Sequence, residues 1–137
     1  RFMAMDGAPG VIVDRATGLQ WQEFGFDAKK WSEALRYCEG LTTGGLGDWR
    51  LPNVNELRSL VDLATHSPAT RFPGMPDLVA DAGYDRFWSS TPVLYFEEYL
   101  EGTVYHARSW VVDFVSGAVV ADVKWEDHRG RCVRGGQ

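Results

Sequence analysis

The sequence has little of what metal centres, thiol redox chemistry and membrane passage require. Among 137 residues there are two cysteines and three histidines. Cys38 and Cys132 lack CxxC spacing and are too few for most structural zinc sites, and His66, His106 and His128 show neither H-x-x-x-H nor H-x-H spacing. No metal and no cofactor is therefore expected. No G-x-S-x-G elbow surrounds Ser89, Ser90 and Thr91, so that run reads as hydroxyls satisfying nearby backbone rather than as a nucleophile. Nothing approaches the roughly 18 consecutive apolar residues of a membrane span, which argues against a membrane-embedded chain. Positive charge is not in excess either: 14 Lys plus Arg against 19 Asp plus Glu give a formal charge of -5, which excludes whole-surface attraction to nucleic acid. The chain opens at Arg1 without a signal segment and reads as a mature or excised fragment, from which an export signal can have been removed.

What is present is a dense set of aromatics, six Trp, seven Phe and five Tyr, in a length suited to one domain spanning residues 1–137. Two apolar runs flank Asp14-Arg15-Ala16-Thr17-Gly18, which predicts a β-hairpin over residues 10–22. Val112-Asp113-x-x-Ser116-Gly117 repeats that turn grammar and predicts a second hairpin over 110–120. Trp31, Ala34, Leu35, Cys38 and Leu41 recur at helical spacing. A second helix is expected from the cap Asn53, with Leu57, Leu60, Val61 and Ala64 on one stripe, stopping near residues 65–68. Residues 66–86 read as a long ordered loop, 86–91 as a strand, and 131–134 as a closing strand. With no βαβ repeat, the order predicts an α+β fold in which two helices pack on antiparallel β-hairpins and the terminal strands lie close.

The stretch Gly47 to Leu60, GDWRLPNVNELRSL, packs an aromatic, a cation, a proline and a helix start together. Asp48, Trp49, Arg50, Pro52 and Glu56 read as a structural joint, because a partly buried Arg needs carboxylate or carbonyl partners and both carboxylates lie within reach along the chain. A single long-range disulfide is the preferred reading of the two cysteines. A Cys38 to Cys132 bond would close a loop worth about 4 to 5 kcal/mol in the chain-entropy model and would persist only in an oxidising compartment.

In order, VIVDRATGLQWQ, KKWSEALRYCEGL, GDWRLPNVNELRSLVD, FWSSTP, WVVDFVSGAVV and RCVR resemble the bacterial domain family typified by the C-terminal domain of the Legionella collagen-like protein, Lcl. The resemblance covers nearly the whole chain. It implies a C-type-lectin-like fold on exported or surface proteins, in a family whose namesake is an adhesin for sulfated polysaccharides, and it matches the helix-to-last-strand cysteine pair to a disulfide of that fold. GDWRLPNVNE is also similar to a segment of formylglycine-generating enzymes, a catalytic branch of the same broad fold. Those use a reactive cysteine pair late in the chain, whereas Cys132 is the only late cysteine here.

Two segments lack core periodicity: 95–108 reads as a loop or an irregular strand, and 124–131 as a loop. They concentrate Tyr95, Tyr99, Tyr105, His106, Arg108, Trp125, Asp127, His128 and Arg129. Rings beside hydrogen-bonding groups suit recognition of a glycan or an extracellular protein. For Trp125 and Tyr105, burial in the core is an equal alternative. Trp125-Glu126-Asp127 falls where C-type lectins carry a Trp-Asn-Asp calcium motif, with Glu97 and Glu98 as further oxygens, but the lectin's Glu-Pro-Asn partner is absent and solvated carboxylates are the preferred reading. Arg108, Arg129, Arg131 and Arg134 would make a basic patch only by converging. The expectation is a non-catalytic binding module that is secreted, periplasmic or at the cell surface. The alternatives are a formylglycine-generating-type oxidase relative and a structural or oligomerisation domain, and the sequence leaves the oligomeric state open.

Overall fold

A computed structural model describes residues 2–61, 86–99, 101–114 and 116–135, with the side chains of residues 94–99 and 103–106 outside that description. Chain order is β1 (Phe2–Ala4), β2 (Val11–Asp14), β3 (Gln20–Gln22), β4 (Phe26–Lys29), α1 (Trp31–Glu39), a 3-10 turn (Thr43–Gly45), α2 (Val54–Arg58), β5 (Arg86–Tyr99), β6 (Gly102–Asp113), β7 (Val119–Val123), β8 (His128–Gly130) and β9 (Val133–Arg134). The fold is α+β. One sheet has the order β1-β2-β3-β9, so the N- and C-terminal strands share it, and the other has the order β4-β8-β5-β6-β7.

The repeated turn grammar has a common geometry. Gly18 and Gly117 take φ of 77° and 80°, where a side chain would be strained. Their N–H groups donate to Asp14 O and Asp113 O at 2.8 and 2.7 Å, and the hydroxyls of Thr17 and Ser116 each accept from the residue two ahead at 3.2 Å. The carboxylate of Asp14 accepts from Ala16 N and from the Thr17 hydroxyl, and that of Asp113 from Ser116 N. Both hairpins follow from these bonds, in which side chains reach groups two and three positions away and the backbone closes over four.

Apolar runs such as Trp110-Val111-Val112 do not alternate with polar residues because these strands are buried on both faces. Consecutive residues feed two different cores. Ile12, Phe87, Val112 and Val133 join Trp21, Leu57, Leu60 and Phe114 in one. Val11, Trp88, Val111 and Cys132 join Phe26, Ala34, Cys38, Trp49 and Leu51 in the other. α2 contributes to the first core through Leu57, and α1 to the second through Ala34 and Cys38. Cys38 and Cys132 form a disulfide with Cα atoms 5.5 Å apart, tying α1 to the residue before β9.

Several sequence expectations change. Of the two readings open for residues 95–108, the strand holds and the loop does not: β5 and β6 pair in antiparallel register from Arg86↔Asp113 to Tyr99↔Gly102, so most of the segment is a hairpin. Its mixed composition carries no clear period two, which is why the sequence did not single out a strand there. Segment 124–131 is a turn followed by β8, not a continuous loop. The second helix ends at Arg58, much earlier than its apolar stripe suggests, and its C-cap is Ser59. Of the loop expected over 66–86, residues 66–85, His66 among them, lie outside the described residues, and Arg86 opens β5. β1, β4 and β8 are short strands that the sequence did not announce.

Candidate functional site: the turn between β7 and β8

The joint at residues 48–56 is built first from backbone. Arg50 N donates to Val133 O and Val133 N to Arg50 O, both at 2.8 Å, so the segment before α2 pairs with β9. Asn53 caps α2 by accepting from Glu56 N at 2.8 Å, while Glu56 Oε1 accepts from Asn53 N at 2.9 Å. The same carboxylate receives the Arg50 guanidinium in a fork, at 2.6 and 2.7 Å, and Arg50 Nη2 also reaches Gly135 O. Burial alone would raise the Glu56 carboxyl, but the hydrogen bonds from Arg50 and Asn53 and the guanidinium charge together hold it below the ordinary carboxylate range. The hydrogen bond to Glu56 raises the Arg50 pKa further. Trp49 is buried, with its indole N–H on Leu46 O. Pro52 is buried and its carbonyl accepts from Ser90 N. Asp48 does not join the ion pair; it is exposed and supplies a left-handed turn, at φ 61°. Beside this joint an open cleft of about 270 Å³ is lined by Thr17, Leu19, Asn55, Glu56 and Ser59, none of them a predicted ligand contact.

The opposite case is the turn after β7. Glu126 N donates to Val123 O at 3.1 Å, closing a tight turn over residues 123–126. Its two sides are clasped by one carboxylate: Asp122 Oδ1 accepts from Val123 N at 2.8 Å and Asp122 Oδ2 contacts His128 Nε2 at 2.6 Å. His128 is only 7% exposed and packs edge-on against Trp88 at 4.7 Å between ring centroids. It is therefore a structural clasp and not the ligand contact expected of it. Lys124 O accepts the N–H of Trp31, the first residue of α1, so an otherwise orphaned helix-end donor is spent on holding the turn. The Lys124 ammonium lies 3.8 Å from the centroid of the Trp31 ring, whose own N–H is fixed on Ser89 O at 3.0 Å. Lys30 and Asp127 approach at 3.8 Å with both side chains more than half exposed.

On this rigid base Trp125 is 58% exposed, which decides between the core and surface readings. Asp127 is exposed beside it, and Arg129 is half-buried. Arg108 is half-buried with Nη1 on Ala121 O at 3.3 Å. The side chains of Tyr95, Tyr99, Tyr105 and His106, and those of Glu97 and Glu98, lie outside the described residues. The four arginines do not form a patch. Arg131 is fully buried, donating to the carbonyls of Gln22 and Glu23, and Arg134 bonds Gly47 O and Gln20. Among the described residues no three His, Cys, Asp or Glu side chains converge as a metal site would require. Sequence reasoning missed Lys30 and Trp31, whose signal was the basic-aromatic run Lys29-Lys30-Trp31 opening a helix.

Fold and site together define a small, disulfide-tied α+β domain that presents an aromatic turn on a fixed base. The family model for the Lcl C-terminal domain matches residues 10–134, and the chain belongs to that family. No curated protein matches it.

Proposed function

We propose that the chain is a non-catalytic extracellular recognition module of C-type-lectin-like type, and that it binds a glycan through the turn after β7. The observation that carries this reading is Trp125, a large ring left 58% exposed on a turn whose every flank is tied down. An aromatic face covers the apolar side of a sugar ring at low entropic cost, and Asp127, two residues on, with Lys30 3.8 Å from it, offers directional hydrogen bonds. Family membership and the buried disulfide support an exported location. The disulfide also speaks against formylglycine-type oxidation, since Cys38 and Cys132 are both fully buried and bonded to each other.

The basis of recognition proposed is aromatic rather than ionic, because Arg131 is fully buried and the net charge is -5. A glycan array, followed by titration of the wild type and Trp125→Ala against the best hit, tests it. Trp125→Ala should weaken binding by about tenfold or more, with affinity nearly independent of salt. Binding retained in Trp125→Ala overturns the site. Conversion of a Cys-x-Pro-x-Arg peptide, abolished by Cys132→Ser, overturns the non-catalytic reading.

A further inference from the structure

Trp31, Ala34 and Cys38 share one face of α1, at helical spacing, and that face ties two distant parts of the chain together. At its start, Trp31 N donates to Lys124 O at 3.2 Å and the indole N–H donates to Ser89 O at 3.0 Å, with the Lys124 ammonium over the ring. Two turns further on, about 10 Å along the axis, Cys38 is bonded to Cys132. One rigid rod thus joins the disulfide to the turn after β7.

The two halves of the disulfide are held unequally. Cys132 N donates to Gln22 Oε1 at 3.1 Å and Cys132 O accepts from Gln22 N at 3.0 Å, so its sulfur stands on β3. Cys38 stands on a helix of nine residues, too short to persist alone. Only Ala34 and Cys38 of that helix are fully buried, and both are small, while Trp31, Leu35 and Tyr37 are partly buried. The polar tie nearest the bond is a 3.3 Å hydrogen bond from Gln22 Nε2 to the Tyr37 hydroxyl. Covalent attachment is therefore a large part of what keeps α1, and with it Trp31, in place.

We propose that the Cys38–Cys132 bond is a redox switch for the turn after β7: formed, it holds the turn through α1, and reduced, it lets α1 and the turn loosen together while the two sheets persist. Both sulfurs are fully buried, in the core that contains Phe26, Trp49 and Trp88, so a reductant reaches them only when α1 lifts. A thiolate of a dithiol then attacks one sulfur, the S–S bond breaks, and the second thiol completes the exchange: the chain gains two thiols and the dithiol becomes a disulfide. Loosening the turn and reducing the bond are reciprocal, each favouring the other. If the turn is the glycan site, on which reading this consequence rests, the chain binds poorly in a reducing compartment and oxidation completes the site.

Amide exchange on the full chain, oxidised and then reduced with dithiothreitol, tests the switch without any ligand, so its failure and that of the glycan reading are told apart. The N–H groups of Trp31 and Glu126, held on Lys124 O and Val123 O, should lose about tenfold in protection on reduction, while those of Val111 and Val112 in β6 keep theirs. Unchanged exchange at 31 and 126 overturns the proposal, and so does an equal loss at all four, which makes the bond a brace for the whole fold. The oxidised chain supplies a second test. Trp31→Phe removes the bond to Ser89 O at the far end of α1, so dithiothreitol should reduce that variant about fivefold faster under native conditions. A rate equal to that of the wild type, or a rise matched by faster exchange at Val111 and Val112, overturns the coupling.

Discussion

GDWRLPNVNE and KWEDHRGR draw on the same residue types, a Trp beside a cation with carboxylates close by, yet they meet opposite fates. Trp49 is 2% exposed and Trp125 58%. Arg50 forks onto Glu56 with side chains 28% and 13% exposed, while Lys30 and Asp127 stand 3.8 Å apart at 53% and 58%. What separates the two is backbone. Arg50 is a strand partner of Val133, which places its neighbours in the core on either side; the turn at 123–126 closes on itself and points its third residue, Trp125, outward. Aromatic and charged residues in a sequence thus do not distinguish a joint from a binding surface. The pairing of the peptide groups that carry them does.

If the joint is structural, breaking what holds it should cost stability in proportion to burial. The largest effect is expected from Cys38→Ala with Cys132→Ala, since the bond spans 94 residues and anchors the segment leading into the Arg50–Val133 bridge. A loss of about 4 kcal/mol is expected in denaturant unfolding. Arg50→Ala should follow, at about 2 to 3 kcal/mol, because it strands a largely buried carboxylate and the Gly135 carbonyl together. Nothing comparable should follow Lys30→Ala, where exposure on both sides leaves the pair worth little.

Acid sharpens the contrast further. The folded-state pKa of Glu56 lies below its unfolded value, so the stabilisation is complete above the ordinary carboxylate value and is lost as pH falls through the folded value. Denaturant midpoints measured at successive pH values below about 4.3 should fall more steeply in the wild type than in Glu56→Gln. Equal slopes would mean that the fork with Arg50 contributes nothing net.

The hairpins at Asp14 and Asp113, the first helix and the cap at Asn53 were legible because each is decided by side chains within a few residues of one another. The disulfide was legible because only two cysteines exist. What could not be read was decided across the chain. The clasp of His128 on Asp122 needs β7 and β8 to flank one turn, and the burial of Arg131 needs the carbonyls of residues 22 and 23 to converge on it from more than a hundred positions away. Trp125 was even between core and surface for the same reason, since the N–H of Trp31 and the carbonyl of Ala107, both bonded to the Lys124 backbone, and the Asp122–His128 clasp fix which way the turn faces.

The smallest stability effect expected is also the one that most directly separates the two regions. Trp125→Ala removes a ring that is mostly in water already, so the unfolding midpoint should move by less than about 0.5 kcal/mol, against several kcal/mol for truncating the buried Trp49. Binding should respond in the reverse order. A glycan bound by the ring face loses its contact area in Trp125→Ala, and the loss should persist at high salt because stacking is not screened as ion pairs are. Trp31→Phe keeps an aromatic under Lys124 but drops the bond to Ser89 O; it should weaken binding less than Trp125→Ala does, through a looser base. If Trp125→Ala instead destabilises the fold as much as Arg50→Ala, the turn is a second joint and its exposed ring is no recognition surface.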